Sequence, residues 1–181
     1  MKPKMHYKQI YDSEIFEIDC SERIPNTVTI SSVDAKVFTE DGYDISTTWT
    51  LSNKTDISFF ASTKKIVSGA SEFSITALFV GREFTVSGSV SNNETYTVAA
   101  CTTSELTVNE TLIDEVAGAT VTINALGMVN GTPSKSGNYV YVQVQNGVDG
   151  EKYNVRVRLT LSNGEYAEDD IILFIQERPR W

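Results

Sequence analysis

Histidine is almost missing from this sequence: 181 residues contain one, His6, beside two cysteines, Cys20 and Cys101. A nucleophilic Ser or Cys needs a neighbouring base, most often an imidazole, so a single histidine near the start of the chain leaves no triad to assemble. A zinc site needs clustered Cys and His, which two distant thiols and one imidazole do not supply. No P-loop and no dinucleotide-binding glycine pattern occurs. No segment approaches the roughly 20 apolar residues of a membrane-spanning helix. The opening "MKPKMHYKQIYDSEIF" has the positive charge of a signal peptide without its apolar centre. These absences predict a non-enzymatic protein with no cofactor and no metal, made in the cytoplasm without an export signal and not placed in a membrane. In that compartment Cys20 and Cys101 read as reduced thiols rather than as a disulfide stapling the first half of the chain. The Asn-x-Thr triplets at Asn53, Asn93, Asn109 and Asn130 then read as chance matches in a Thr-rich chain.

Basic charge is also scarce, with 15 Lys and Arg against 24 Asp and Glu and a net charge of −9. Both halves are acidic, which opposes binding to a phosphate backbone. The adjacent pair Arg156 and Arg158 reads as a solvated strand face. Glu165, Glu168, Asp169 and Asp170 lack the spaced Asp-x-Asp-x-Asp-Gly of a calcium loop. They read as a charged edge that discourages sheet-to-sheet pairing.

What the chain has in quantity is Thr, Ser and Val in short alternating runs punctuated by Gly, Asn, Asp and Ser, the composition of strands and tight turns. One run occurs twice. "NGVDGEKYNVRVRLTLSNGEY" at 146–166 and "VGREFTVSGSVSNNETY" at 80–96 match at a constant offset when Gly150 is set on Gly81 and Tyr153 on Phe84. Alternation sends Tyr153, Val155, Val157, Leu159 and Leu161 to one face and Asn154, Arg156, Arg158 and Thr160 to the other. Each copy predicts strand, tight turn, strand, with Asn163-Gly164 turning the second and Asn92-Asn93-Glu94 the first. Only 111–118 reads as a helical turn. The organisation predicted is an N-terminal arm over 1–14, a first β-sandwich over 15–101, a second over 102–177 and a tail over 178–181.

Within this plan Gly150 and Tyr153 take the places of a tight loop and of a tyrosine whose hydroxyl folds back onto nearby backbone, while Phe84 can only pack. Trp49, on the Thr47, Trp49, Leu51 alternation, is expected as the central core aromatic of the first unit rather than an exposed recognition residue. Partner contacts are expected from Tyr7 and Tyr11 in the arm and from Arg178, Arg180 and Trp181 in the tail, since Trp and Arg favour interface hot spots. Tyr139 and Tyr141 share one face of "NYVYVQVQ" and Val140, Val142 and Val144 the other. The tyrosines are expected to be buried at a junction between units or subunits, and form a contact strip if the valines are core.

The segment "GVDGEKYNVRVRLTLSNGEYAEDDIILFIQ" carries Gly147, Asp149, Gly150, Tyr153, Val155, Val157, Leu159, Gly164, Ile172 and Phe174 in the order of a Gly-rich loop, a Tyr, an alternating strand, a turn with Gly and a final strand. In this it resembles small Ig-like virion proteins of tailed bacteriophages, the fibre-tail adaptor or neck proteins, and "FEIDCSERIPNTVTISSVDAKVF" is similar to that family's opening. The resemblance implies an Ig-like sandwich of a single domain. This chain is about twice that length and the repeat argues for a duplicated or inserted unit, so the fold expected is all-β, two tandem Ig-like antiparallel β-sandwich units. The resemblance also implies a virion protein docked in symmetric, multi-copy fashion on other phage structural proteins (portal, neck, tail or fibre), with no catalytic or cofactor residues. The same features suit a capsid decoration protein bound to the major capsid protein. A second class, an Ig-like carbohydrate-binding or adhesin module, would show exposed aromatics along a strand face.

Overall fold

A computed structural model describes residues 4–8 and 13–176, the side chains of Lys4 and Tyr7 excepted. In chain order its strands are β1 (Lys4–Lys8), β2 (Glu14–Asp19), β3 (Ile30–Thr39), β4 (Trp49–Lys54), β5 (Ile57–Phe60), β6 (Lys65–Ser68), β7 (Glu83–Ser87), β8 (Thr95–Cys101), β9 (Glu105–Val108), β10 (Val121–Ala125), β11 (Ser134–Ser136), β12 (Tyr139–Val144), β13 (Lys152–Leu161) and β14 (Tyr166–Ile175). Helix is confined, among the described residues, to the single 3-10 turns Ser21–Arg23 and Ala61–Thr63. The fold is all-β. The helical turn predicted over 111–118 is instead extended, because the backbone of Glu115 pairs with Phe59 in both directions, at 2.8 and 3.0 Å.

The chain forms two compact units, and they are nested rather than consecutive. Unit 1 combines Met1–Thr47 with Gly127–Trp181, and unit 2 is Thr48–Leu126. The tandem division predicted at 101/102 is therefore corrected. That point lies between β8 and β9, which pair antiparallel through Cys101 and Leu106 within one core. In unit 1, β13 pairs with β3 from far upstream as well as with its hairpin partner β14. A boundary cannot fall where ladder bonds close across it.

Unit 1 has one sheet in the order β1-β14-β13-β3 and another in the order β11-β12-β2. Alternation decides what each strand buries: in β13, Tyr153, Val155, Val157, Leu159 and Leu161 are buried, as the sequence predicts, and on β12 Val140, Val142 and Val144 are wholly so. The outward arginines of β13 lie over aromatic rings, Arg156 on Phe38 at 5.2 Å and Arg158 on Tyr166 at 4.5 Å. The predicted arm is corrected over Lys4–Lys8, which adds to the sheet as β1, parallel to β14. Lys8 is buried there, and its ammonium donates to the Asn146 carbonyl at 3.1 Å.

Unit 2 orders its strands β4-β10-β7-β8-β9-β6-β5. The register of β8 against β9 shifts between Val98 and Ala100, an irregularity that bends a strand and lets it turn between two ladders. Phe59, Phe84, Tyr96 and Phe73 fill the core, with Ile66, Leu78, Val98, Leu106, Val121 and Ile123 around them. Trp49 is corrected from its predicted place at the centre. It lies on β4, the end strand of the order, opposite Ala125, and is only partly buried against the core.

The internal repeat is real for the first strand and fails for the turn. Gly81 and Gly150 both hold positive φ, +86° and +80°, and Phe84 and Tyr153 are both buried. Only β13, however, continues to a tight turn. β7 stops at Ser87, where Gly88 turns to φ +81° and a side chain would collide with the Thr120 carbonyl oxygen. A loop over 88–94 then replaces the turn predicted at Asn92-Asn93-Glu94.

Candidate docking face of unit 1

The inward alternation of β2 and β12 fixes what the other face shows. Phe16, Ile18, Val140, Val142 and Val144 are buried, so Ile15 and Glu17 of β2 and Tyr139, Tyr141 and Gln143 of β12 point away from the core. The antiparallel register sets Tyr139 against Asp19, Tyr141 against Glu17 and Gln143 against Ile15, with Ser136 and Ser134 of β11 beyond the two tyrosines. Cross-strand neighbours in such a ladder lie about 5 Å apart, so these side chains form one continuous surface.

Ile15 is 66% exposed and Tyr139 40%, while Tyr141 is half-buried. With the three valines in the core, period-two geometry leaves the tyrosines on the outward face, the arrangement for which the sequence predicts a contact strip. The Tyr141 hydroxyl is held by a hydrogen bond with Glu17, which together with some loss of hydration and the carboxylate's charge raises its pKa. At the far end Ser13 accepts from the Gln143 amide at 2.9 Å and from the Asn130 amide at 3.2 Å, which ties the strand before β2 to this face. The surface is an amphipathic mix of apolar bodies and polar tips on paired strands. That mix suits protein contact.

Of the other predicted contact residues, Tyr7 has its backbone in β1 with its side chain outside the description, and Tyr11, Arg178, Arg180 and Trp181 lie outside the described residues. Among the structural predictions, Tyr153 carries its role in full: the Val148 N–H donates to its hydroxyl at 3.0 Å, and Gly150 N–H donates to the Ile175 carbonyl at 3.0 Å, closing the 147–151 loop. Phe84 packs against Tyr96 with ring centroids 5.9 Å apart. Ile15 and Glu17 were missed. Their signal was the out-of-phase position of Ile15 in "EIFEIDC", where Phe16, Ile18 and Cys20 mark the inward phase.

The remaining chemistry-bearing groups are dispersed. Cys20 and Cys101 are free thiols, both pushed up to about 11, Cys20 by burial and then by Asp169 and Asp19, and Cys101 by burial. The carboxylates near the end of the chain are separately engaged, Glu168 with Arg158 at 3.9 Å, Asp169 with Arg23 at 3.5 Å and Asp170 with the Asn154 amide at 2.9 Å. Among the described residues no group of three or more His, Cys, Asp and Glu is placed to hold a metal ion, and no helix is long and apolar enough to cross a membrane. No protein-family model, curated protein or solved structure matches the chain.

Proposed function

We propose that this chain is a non-enzymatic structural component of a tailed-phage virion, docking at the head-tail neck or on the tail as an adaptor for fibre or collar attachment. Unit 1 is read as an Ig-like sandwich carrying the contact surface, and the partners as portal, neck, tail or fibre proteins. The observation that carries this reading is the outward row Ile15, Glu17, Tyr139, Tyr141 and Gln143 on the paired strands β2 and β12, whose inward residues Phe16, Ile18, Val140, Val142 and Val144 are core. A closing hairpin with its tyrosine tied to the preceding loop supports the family likeness seen in the sequence.

The test is quantitative mass spectrometry of purified virions of the encoding phage, carrying either the wild-type chain or the Tyr139→Ala/Tyr141→Ala variant. The expected outcome is a copy number on the order of a dozen, matching a neck or portal ring, and a loss of incorporation of the double variant, which leaves the core valines untouched. Hundreds of copies would reassign the chain to capsid decoration. Absence from clean virions would sink the structural reading and promote a carbohydrate-binding module.

A further inference from the structure

A second surface, in unit 2, is built to be held in shape while exposing apolar side chains. Three segments meet there: the end of β5 with the turn after it, the 88–94 loop, and the stretch 110–116. Backbone of Glu115 pairs with Phe59, and the Ala61 N–H donates to the Asp114 carboxylate at 2.7 Å. The Glu115 carboxylate accepts from the N–H groups of Val90 and Ser91 at 2.9 and 3.2 Å and from the Asn92 amide at 3.1 Å. Asn92, itself buried, also donates to the Ile113 carbonyl and accepts from the Ile113 N–H. A buried side chain satisfied on both its ends fixes the relative position of the two loops it bridges.

On these pinned segments sit Phe60, Val90, Ile113 and Val116, 45, 79, 57 and 86% exposed. Loops that shed hydrogen-bonding freedom in order to hold several large apolar residues in water are characteristic of a contact surface. Its charge is mainly negative. Asp114 and Glu115 belong to the network, and Glu94, Glu110 and Glu115 all lie near enough to the Tyr96 phenol, itself buried, to add to the rise in its pKa. Lys64, the nearby cation, donates to the Asn109 carbonyl at 2.6 Å. The occupant therefore combines an apolar anchor with positive charge. In the whole sequence after Arg158, positive charge occurs only at Arg178 and Arg180, immediately before Trp181.

We propose that the 177–181 segment of one copy docks on this surface of a neighbouring copy, with Trp181 set among Phe60, Val90, Ile113 and Val116 and the two arginines facing the carboxylates. Arg binds carboxylates through paired N–H donors, and Trp and Arg are both enriched among interface hot spots. Each copy both donates a segment and offers a surface, so the contact is heterologous and propagates from copy to copy until it closes. Nothing in it depends on where the chain operates, so it stands or falls separately from the virion reading.

The test is sedimentation velocity on three forms of the full chain: wild type, a deletion of 178–181, and Ile113→Asp/Val116→Asp, whose altered residues are exposed and leave the core intact. The wild type is expected to exceed its 20.0 kDa monomer mass as concentration rises, with the association weakening in high salt. Each variant alone is expected to remain a monomer. Mixed together they are expected to form a complex, because one retains the surface and the other the segment. A wild type that stays monomeric, association that survives either alteration, or a mixture that fails to associate would each overturn the proposal. Circular dichroism of the variants separates loss of contact from loss of fold.

Discussion

Tyr153 and Phe84 stand at matching places in two related strands, each after a left-handed glycine and each with its ring in a core. One oxygen separates them. Tyr153 uses it to accept from Val148 N–H, so the loop before β13 is anchored, whereas the loop before β7 is anchored differently: Gly81 N–H donates to Val98 carbonyl at 2.8 Å. Tyr153→Phe is expected to lower unfolding stability by about 1–2 kcal/mol, the usual cost of leaving a partly buried donor unmatched, and urea denaturation reads it directly. The role of Tyr153 was legible from the sequence because it depends on neighbours within six residues. The place of Trp49 was not, since an alternating strand states which face a residue takes but not whether the strand ends the sheet. Lys8 is a related case. A lysine in a polar run reads as solvated, and only the docking of β1 on β14 gives its ammonium a carbonyl and its methylenes cover.

At the scale of elements, strand phases were readable and strand partners were not. The alternation in "YNVRVRLTL" and "NYVYVQVQ" is a local property that fixes inward and outward sets. Pairing of β13 with β3 and of β2 with β12 joins segments separated by more than 100 residues, and no local pattern specifies it. The repeat is ambiguous for the same reason: it reports a shared strand, which fits a duplicated or an inserted unit alike, and only the long-range pairing decides for the insertion. Where the copies part is Gly88, which ends β7 against Thr120. Gly88→Ala would demand both a left-handed backbone and space already filled by a carbonyl oxygen. The expected cost is about 2–4 kcal/mol, appearing as a lower urea midpoint. A parallel Gly164→Ala change, with nothing near its position but the same sign of φ, separates the clash from the backbone term and is expected to cost about 1 kcal/mol.

At the scale of the whole molecule, unit 2 is a guest within unit 1. Its first and last strands are hydrogen-bonded neighbours, Trp49 opposite Ala125, so its two ends lie side by side. The host's broken ends lie side by side as well. Met128 and Val129 donate to the carbonyls of Ile45 and Ser46 at 3.0 and 3.1 Å, and Gly127 fits so closely on Ser46 and Thr47 that a side chain there would collide with their backbone. Removing 48–126 and joining Thr47 to Gly127 through two glycines is therefore expected to leave a cooperatively folding host. The check is the dispersion of its amide NMR spectrum and a single denaturation transition. A collapsed spectrum would mean that the host's core depends on the guest. Insertions of this kind are tolerated where chain ends approach one another at a surface.

The parallel pairing of β1 with β14 matters most when the two ends of the chain are pulled apart. Lys4 faces Ile171 and Lys8 faces Ile175, so the force enters one strand at its start and leaves the other at its finish. The two strands are then drawn past one another in shear, and the rungs between them share the load instead of opening one at a time as in a zipper. Tension from outside meets this clamp before it reaches the remainder of the chain, the nested unit included.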